Sequence, residues 1–226
     1  MFSGFTDETF EFFMAIRFNN NRDFFQANHD WYVRAVREPA RALAGRLEPA
    51  VREIDPEVDA RPTRVVCRPN RDTRFSRDKS PYRDYLFLAF RRPGEDRKSA
   101  MGMYFDLSGE GASFGAGFYD RNMPLMNALR CAILAEPERV MALTRAAERD
   151  FTLHGDEIKR MRVPERVRGA LLPWYKLRGF YLEQEIRDFE LIKSGRLADR
   201  LLEGYRALAP LYRYINSLTP LADPPA

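Results

Sequence analysis

Cysteine is nearly absent from this chain of 226 residues: Cys67 and Cys131 stand alone, with no CxxC pair and no histidine at ligand spacing. That excludes a disulfide framework and a structural zinc site. Histidine is equally scarce. His29 and His154 lie far apart, neither beside a Ser or Cys of triad character, so Ser-His or Cys-His catalysis is set aside and both histidines read as structural. No dense Asp/Glu constellation is present either, and no metal is expected. No segment nears the eighteen or so apolar residues of a membrane span, and the first residues, MFSGFTDETFEFF, carry acids where a secretory leader needs bases. A soluble, cytoplasmic protein in a reducing compartment is expected, with no membrane partner. Lysine is scarce too: five of the 37 cationic residues are Lys and the rest Arg, a skew typical of GC-rich coding. An Arg where a Lys would serve is therefore no sign, at any one position, of bidentate recognition. Repeats and Ser/Gly linkers are lacking, so one domain over residues 1–226 is expected. A chain this long buries roughly 70% of the surface it exposes when unfolded, enough to stand without staples.

What is present alternates between two periodicities. Thr6 is placed to cap a helix from Asp7 to about Phe18, with Asp7 and Glu8 complementing its positive end and Phe5 and Phe10 spaced as a hydrophobic staple. The polar run Asn19 to Arg22 breaks it. Apolar residues then recur near a 3.6 period from Phe25 to Ile54, with Pro39 expected to divide that helix. Four β-rich stretches follow, Thr63 to Arg68, Asp84 to Arg91, Ala100 to Leu107 and Ala112 to Phe118, with connections short enough for antiparallel pairing. Helical patterns return at Pro124 to Ala135, Pro137 to Asp150, Pro164 to Leu172 and Arg196 to Ser217. Helices on both sides of a strand block predict an α+β fold: an antiparallel sheet of about four or more strands with N-terminal and C-terminal helices.

The formal charge of +4 is not spread over the chain. Arg68 to Arg83 holds six cations against Asp72 and Asp78, a net +4, and the remaining residues sum to zero. One short segment so charged suits a compact anion better than a long polyanion. Its loop is too long for a tight hairpin and must be held by contacts of its own. Asp72 can take a fork from Arg71 or Arg74, leaving the other guanidinium donors for a phosphate, sulfate or carboxylate. Lys79 adds a mobile charge, and Tyr82, after Pro81, adds a hydroxyl that donates or accepts. Other residues can join. Arg22 or Asn20 can reach the same pocket from the polar knot, which otherwise reads as one helix cap followed by another. Lys176 sits in an aromatic run with Trp174, Tyr175 and Phe180 that forms either a cleft wall or core. Gly115 and Gly117 give a GxG without the rest of a nucleotide motif, better explained by close strand packing. Cys67 is the nucleophile nearest the cations, though in a strand it reads as a small buried hydrophobe.

The spacing Arg68-x-x-Arg71-Asp72-x-Arg74-Phe75-x-x-x-Lys79-x-x-Tyr82 resembles the signature RxxRDxRFxxxKxxY of the bacterial family known as domain of unknown function 2461. Phe2-x-Gly4-Phe5, Asn20 to Phe25, the stretch Tyr104 to Phe118 and Arg130-x-Ala132-Ile133 also resemble that family, with Phe24 where many members have Trp. The resemblance covers most of the chain. It implies that the cationic cluster is a recurring constellation, and brings no reaction, substrate or cofactor.

Two functions are therefore expected to compete. In the first, the protein is an enzyme or binder of a phosphorylated or carboxylated small molecule. Arg68, Arg71 and Arg74 clamp the anion with Phe75 and Arg22 as further contacts, Asp72 orients the clamp or acts as base, and Lys79 and Tyr82 neutralise or protonate a leaving oxygen. In the second, the same loop is a nucleic-acid or protein interaction module, with Phe75 or Tyr82 stacking on a base.

Overall fold

The computed structural model of the chain describes residues 1–74, 76–96 and 99–225. Phe75, one of the expected ligand contacts, lies outside the described residues. Helix α1 (Asp7–Phe18) follows Thr6, with Asp7 and Glu8 in its first turn. It buries Thr9, Phe12, Phe13 and Ile16, the i, i+3, i+4, i+7 stripe of an amphipathic helix. Phe5 stacks with Phe105 and Phe10 meets the edge of Phe189, so each phenylalanine of the expected staple has a partner elsewhere. Two short helices, α2 (Arg22–Ala27) and α3 (His29–Tyr32), lead through a π-helical turn (Val33–Arg37) into α4 (Glu38–Ile54).

Pro39 does not divide this helix; it sits in the first turn of α4. Proline has no N–H to offer the carbonyl four residues back, here that of Ala35, and its ring crowds that carbonyl. The wider π turn just ahead of it makes room. The displaced carbonyl is taken up from outside, because the buried Thr9 hydroxyl donates to Ala35 O at 2.7 Å.

The first expected strand is mostly a helical turn, α5 (Pro62–Val65), started by a proline whose φ already suits a first helical position. Only Val66 pairs as a strand does, in an isolated antiparallel bridge to Leu88. The others form as β1 (Leu86–Phe90), β2 (Gly102–Ser108) and β3 (Gly111–Gly117). Helices α6 (Met123–Ala135) and α7 (Pro137–Glu148) come next, then β4 (Thr152–His154), α8 (Leu171–Lys176), β5 (Tyr181–Ile186), α9 (Phe189–Ile192) and α10 (Arg196–Ser217). The strands make one antiparallel sheet in the order β1-β2-β3-β5-β4, so the class is α+β. In its register Thr152 faces Glu183 and His154 faces Tyr181. Where a helix was expected from Pro164, residues 164–170 are irregular, and Gly169 adopts a left-handed φ of 59° just before α8. No helix among the described residues is long and apolar enough to cross a membrane.

The chain divides into two compact units: residues 1–90, 104–114 and 185–203, and residues 91–103, 115–184 and 204–226. The first is built around Phe12, Phe13, Ile16, Val36, Leu43 and Leu47, all buried. The second is built around Trp174, Phe180 and Phe118, with Phe180 edge-on to both other rings. Gly115 belongs there because a Cβ on it would fall 1.7 Å from Leu182 O, so the GxG records a close strand approach. Also in the second unit, Arg130 is wholly buried and has no carboxylate partner among the described residues. Its guanidinium donates to Tyr175 O at 2.9 Å, Leu177 O at 2.5 Å and Asn127 Oδ1 at 2.7 Å. The Tyr175 and Leu177 carbonyls lie at the C-terminal end of α8, the negative end of its dipole.

Candidate functional site

The cationic segment folds as a long hairpin within the first unit. Its base is closed by an antiparallel bridge between Asn70 and Tyr82, flanked by the N–H of Arg71 on Pro81 O and of Arg83 on Pro69 O, both at 2.8 Å. Further along the same edge the N–H of Cys67 donates to Phe87 O at 3.0 Å. The hairpin thus extends the β1 side of the sheet.

Within the hairpin the cations turn to their own neighbours. Arg71 pairs with Asp78, whose carboxyl is held well below its usual range by that guanidinium and by the Ser80 hydroxyl and N–H. Arg74 forks onto Asp72 at 2.9 and 2.7 Å, with Arg74 side-chain exposure of 77%. The carboxylate beside it raises the Arg74 pKa. Lys79 Nζ donates to Thr73 O at 2.9 Å. Arg68 is exposed at the hairpin base, beside a crevice of only about 10 Å³ that it shares with Cys67 and Arg83. The fork expected on Asp72 is present, from Arg74. The expected convergence of Arg68, Arg71, Arg74 and Lys79 on one concavity is not: short range favours the nearest carboxylate or carbonyl over a shared centre.

A concavity does exist, beside the hairpin base. Asn70 and Tyr82 line one side of a shallow cleft of about 710 Å³, and Arg22, Phe25, Gln26 and His29 line the other. Those last four stand at i, i+3, i+4 and i+7, one face of the nearly continuous α2 and α3. Of the expected site residues, Arg22 and Tyr82 meet here. Gln26, His29 and Asn70 were not singled out by sequence reasoning as site residues, yet the helical stripe Arg22-x-x-Phe25-Gln26-x-x-His29 was there to be read.

Two contacts hold the cleft together. Tyr82 stacks on Phe25 with ring centroids 4.1 Å apart and planes 12° from parallel. Asn20 grips the backbone of Tyr82, accepting from its N–H and donating to its carbonyl, each at 2.9 Å. In the polar knot Asn19 and Asn21 cap α1 and α2, while Asn20 grips the hairpin base and Arg22 lines the cleft, which is not the pocket of converging cations that was expected.

Lys176 lies in the second unit, where it pairs with Glu157 while Trp174, Tyr175 and Phe180 are buried as core. His154 is there as well, 3.3 Å from Glu183 and stacked on Tyr181. Among the described residues no cluster of His, Cys, Asp or Glu is able to hold a metal ion.

A comparison with curated proteins finds no match. The family model described as a conserved hypothetical protein (DUF2461) matches residues 8–214, a span that includes the hairpin and both walls of the cleft, and the chain belongs to that family.

Proposed function

We propose that the protein binds a small anionic molecule, phosphorylated or carboxylated, in the cleft between α2–α3 and the base of the hairpin. One observation carries the reading. Arg22 makes no ion pair or side-chain hydrogen bond among the described residues, whereas Arg71, Arg74 and Lys79 are engaged inside the hairpin. A guanidinium with open donors at the mouth of a concavity is the natural seat for a bidentate oxyanion. The hairpin pairs then serve as scaffold: Asp72 with Arg74, and Arg71 with Asp78, hold the hairpin so that Asn70 and Tyr82 stand where they do. If the bound molecule is turned over, Tyr82 and His29 are the groups at the cleft able to exchange a proton with a leaving oxygen, and Asp72 and Lys79 act through the hairpin's shape.

Titration with inorganic phosphate and acetate, followed by backbone amide chemical shifts, tests this. Arg22→Ala is expected to weaken binding at least tenfold, since a hydrogen bond to a charged group is worth about 1.5–3 kcal/mol. Arg74→Ala is expected to leave it within twofold. The reverse pattern moves the ligand onto the hairpin and overturns the cleft reading.

A second reading has its own observation: Arg68, Arg74, Arg77 and Lys79 are all exposed around the hairpin. Such a surface suits contact with a phosphodiester backbone in a nucleic-acid interaction module. Tyr82, 8% exposed and stacked on Phe25, is not available to a base. A salt titration separates the two, because several phosphate contacts weaken steeply with salt and one seat in a cleft does not.

A further inference from the structure

The cleft is chemically uneven, and the unevenness describes its occupant. Arg22 brings only donors. Gln26 and Asn70 bring primary amides, each with two N–H donors and an acceptor oxygen, and the two ring nitrogens of an imidazole, here that of His29, can likewise serve one as donor and one as acceptor. The Gln26 and Asn70 side chains have no hydrogen-bond partner among the described residues, so their acceptors are as open as their donors. A bare phosphate or carboxylate uses the donors and leaves the acceptors unmatched. An apolar tail uses neither. A hydroxyl group both donates and accepts, and a row of hydroxyls matches a row of amides and imidazole. The apolar part of the lining argues the same way. Phe25 and Tyr82 are each only 8% exposed, because they stack on one another, and leave a narrow strip instead of an open aromatic face. That strip is too small for a nucleobase to lie on.

We infer that the cleft takes a polyhydroxy anion, a sugar or polyol that carries a phosphate or a carboxylate, with the anionic group on Arg22 and hydroxyls on Gln26, His29 and Asn70. This rests on the anion reading above and adds the chemistry of the remainder of the ligand. Phosphate and carboxylate share the Arg22 contact, and the arms of the test separate them.

Calorimetric titration compares three sets of probes. Glycerol 3-phosphate, ribose 5-phosphate, glucose 6-phosphate and gluconate carry both features; ethyl phosphate and acetate carry the charge alone; glycerol and glucose carry hydroxyls alone. At least one polyhydroxy anion is expected to bind about tenfold tighter than ethyl phosphate or acetate and than its uncharged counterpart. Gln26→Ala and Asn70→Ala, changes at exposed side chains, are each expected to remove two- to tenfold of that advantage, the worth of one neutral hydrogen bond, weakening the polyhydroxy anion by more than they weaken ethyl phosphate. If no polyhydroxy anion exceeds ethyl phosphate and acetate by more than twofold, or if the advantage survives in the double variant, the inference is overturned and the anion reading stands. If ethyl phosphate and acetate fail to bind, or bind Arg22→Ala equally well, the anion reading falls and takes the inference with it.

Discussion

Asn20 holds both backbone groups of Tyr82, a residue 62 positions away in sequence, and so does with one side chain what a neighbouring strand would do with its backbone. Removing it leaves a part-buried N–H and carbonyl to find other partners, at about 1–3 kcal/mol for the loss. Asn20→Ala is accordingly expected to lower the free energy of unfolding in urea by roughly 1–2 kcal/mol and to loosen the cleft, with weaker phosphate binding as a second sign. An unchanged midpoint would mean that the Phe25 stack alone fixes Tyr82. Arg130 poses a different problem at the same scale. Burial pushes its pKa down, but three acceptors that converge on one planar fork keep the charge hydrogen-bonded. It ties Asn127 of α6 to the end of α8, and Asn127 in turn donates to the carbonyls of Leu221 and Ala222 at 3.2 and 3.1 Å.

At the scale of the element, the π turn before α4 links two residues that sequence reading treats separately. Pro39 deprives Ala35 O of its helical donor, and Thr9 on α1 supplies another. The two are coupled, so their substitutions should not add. Thr9→Val is expected to cost about 1–2 kcal/mol in the natural chain, through a buried carbonyl left unpaired, and markedly less in a Pro39→Ala background where residue 39 offers its own N–H. A double-mutant cycle read by thermal unfolding measures this; strict additivity would show that Thr9 acts by packing alone. Among the strands, β5 escaped sequence reading because Glu183 and Glu185 look like members of a solvated face. Yet in Tyr181–Ile186 the buried Leu182 and Ile186 occupy alternate positions with Gln184 between them, the period of a strand with one covered side. The stretch from Thr63 erred in the opposite direction, its β-branched residues outweighed by Pro62 at the start of a turn.

For the molecule as a whole, charge sets the response to acid. Asp59 is held at about 2 by its fork with Arg61, and Asp78 and Glu136 are also held below their usual ranges, by Arg71 and Ser80 in one case and by Tyr214 and Arg139 in the other. Between about pH 4 and pH 2 the unfolded chain therefore binds more protons than the folded one. The stability contributed by these carboxylates is present above pH 4 and drains away as pH falls through that window. The pairs are solvated, and the one between Asp59 and Arg61 is worth at most about 1 kcal/mol. Asp59→Asn is expected to lower stability by no more than that at pH 7 and to match the natural chain at pH 2, measured by melting temperature against pH. A constant difference across the window would assign Asp59 a role other than its charge.

Local chemistry alone settled where charge gathers, where α1 begins, which segments pair as β1 to β3, and that Asp72 would take a guanidinium fork. Each depends on neighbours within a few residues: a cap, an alternation, a cation two positions from an acid. Arg22 and Tyr82 were also legible as candidate site residues, but not their meeting with Gln26, His29 and Asn70 in one cleft. That meeting is made by a stack and a two-bond grip spanning more than fifty residues, and cooperative packing at such separation leaves no periodic trace along the chain. Only the folded hairpin decided that the fork on Asp72 would come from Arg74 while Arg71 closed on Asp78, because a guanidinium within reach of an acid is better satisfied there than at a distant centre, and this left the cleft to Arg22.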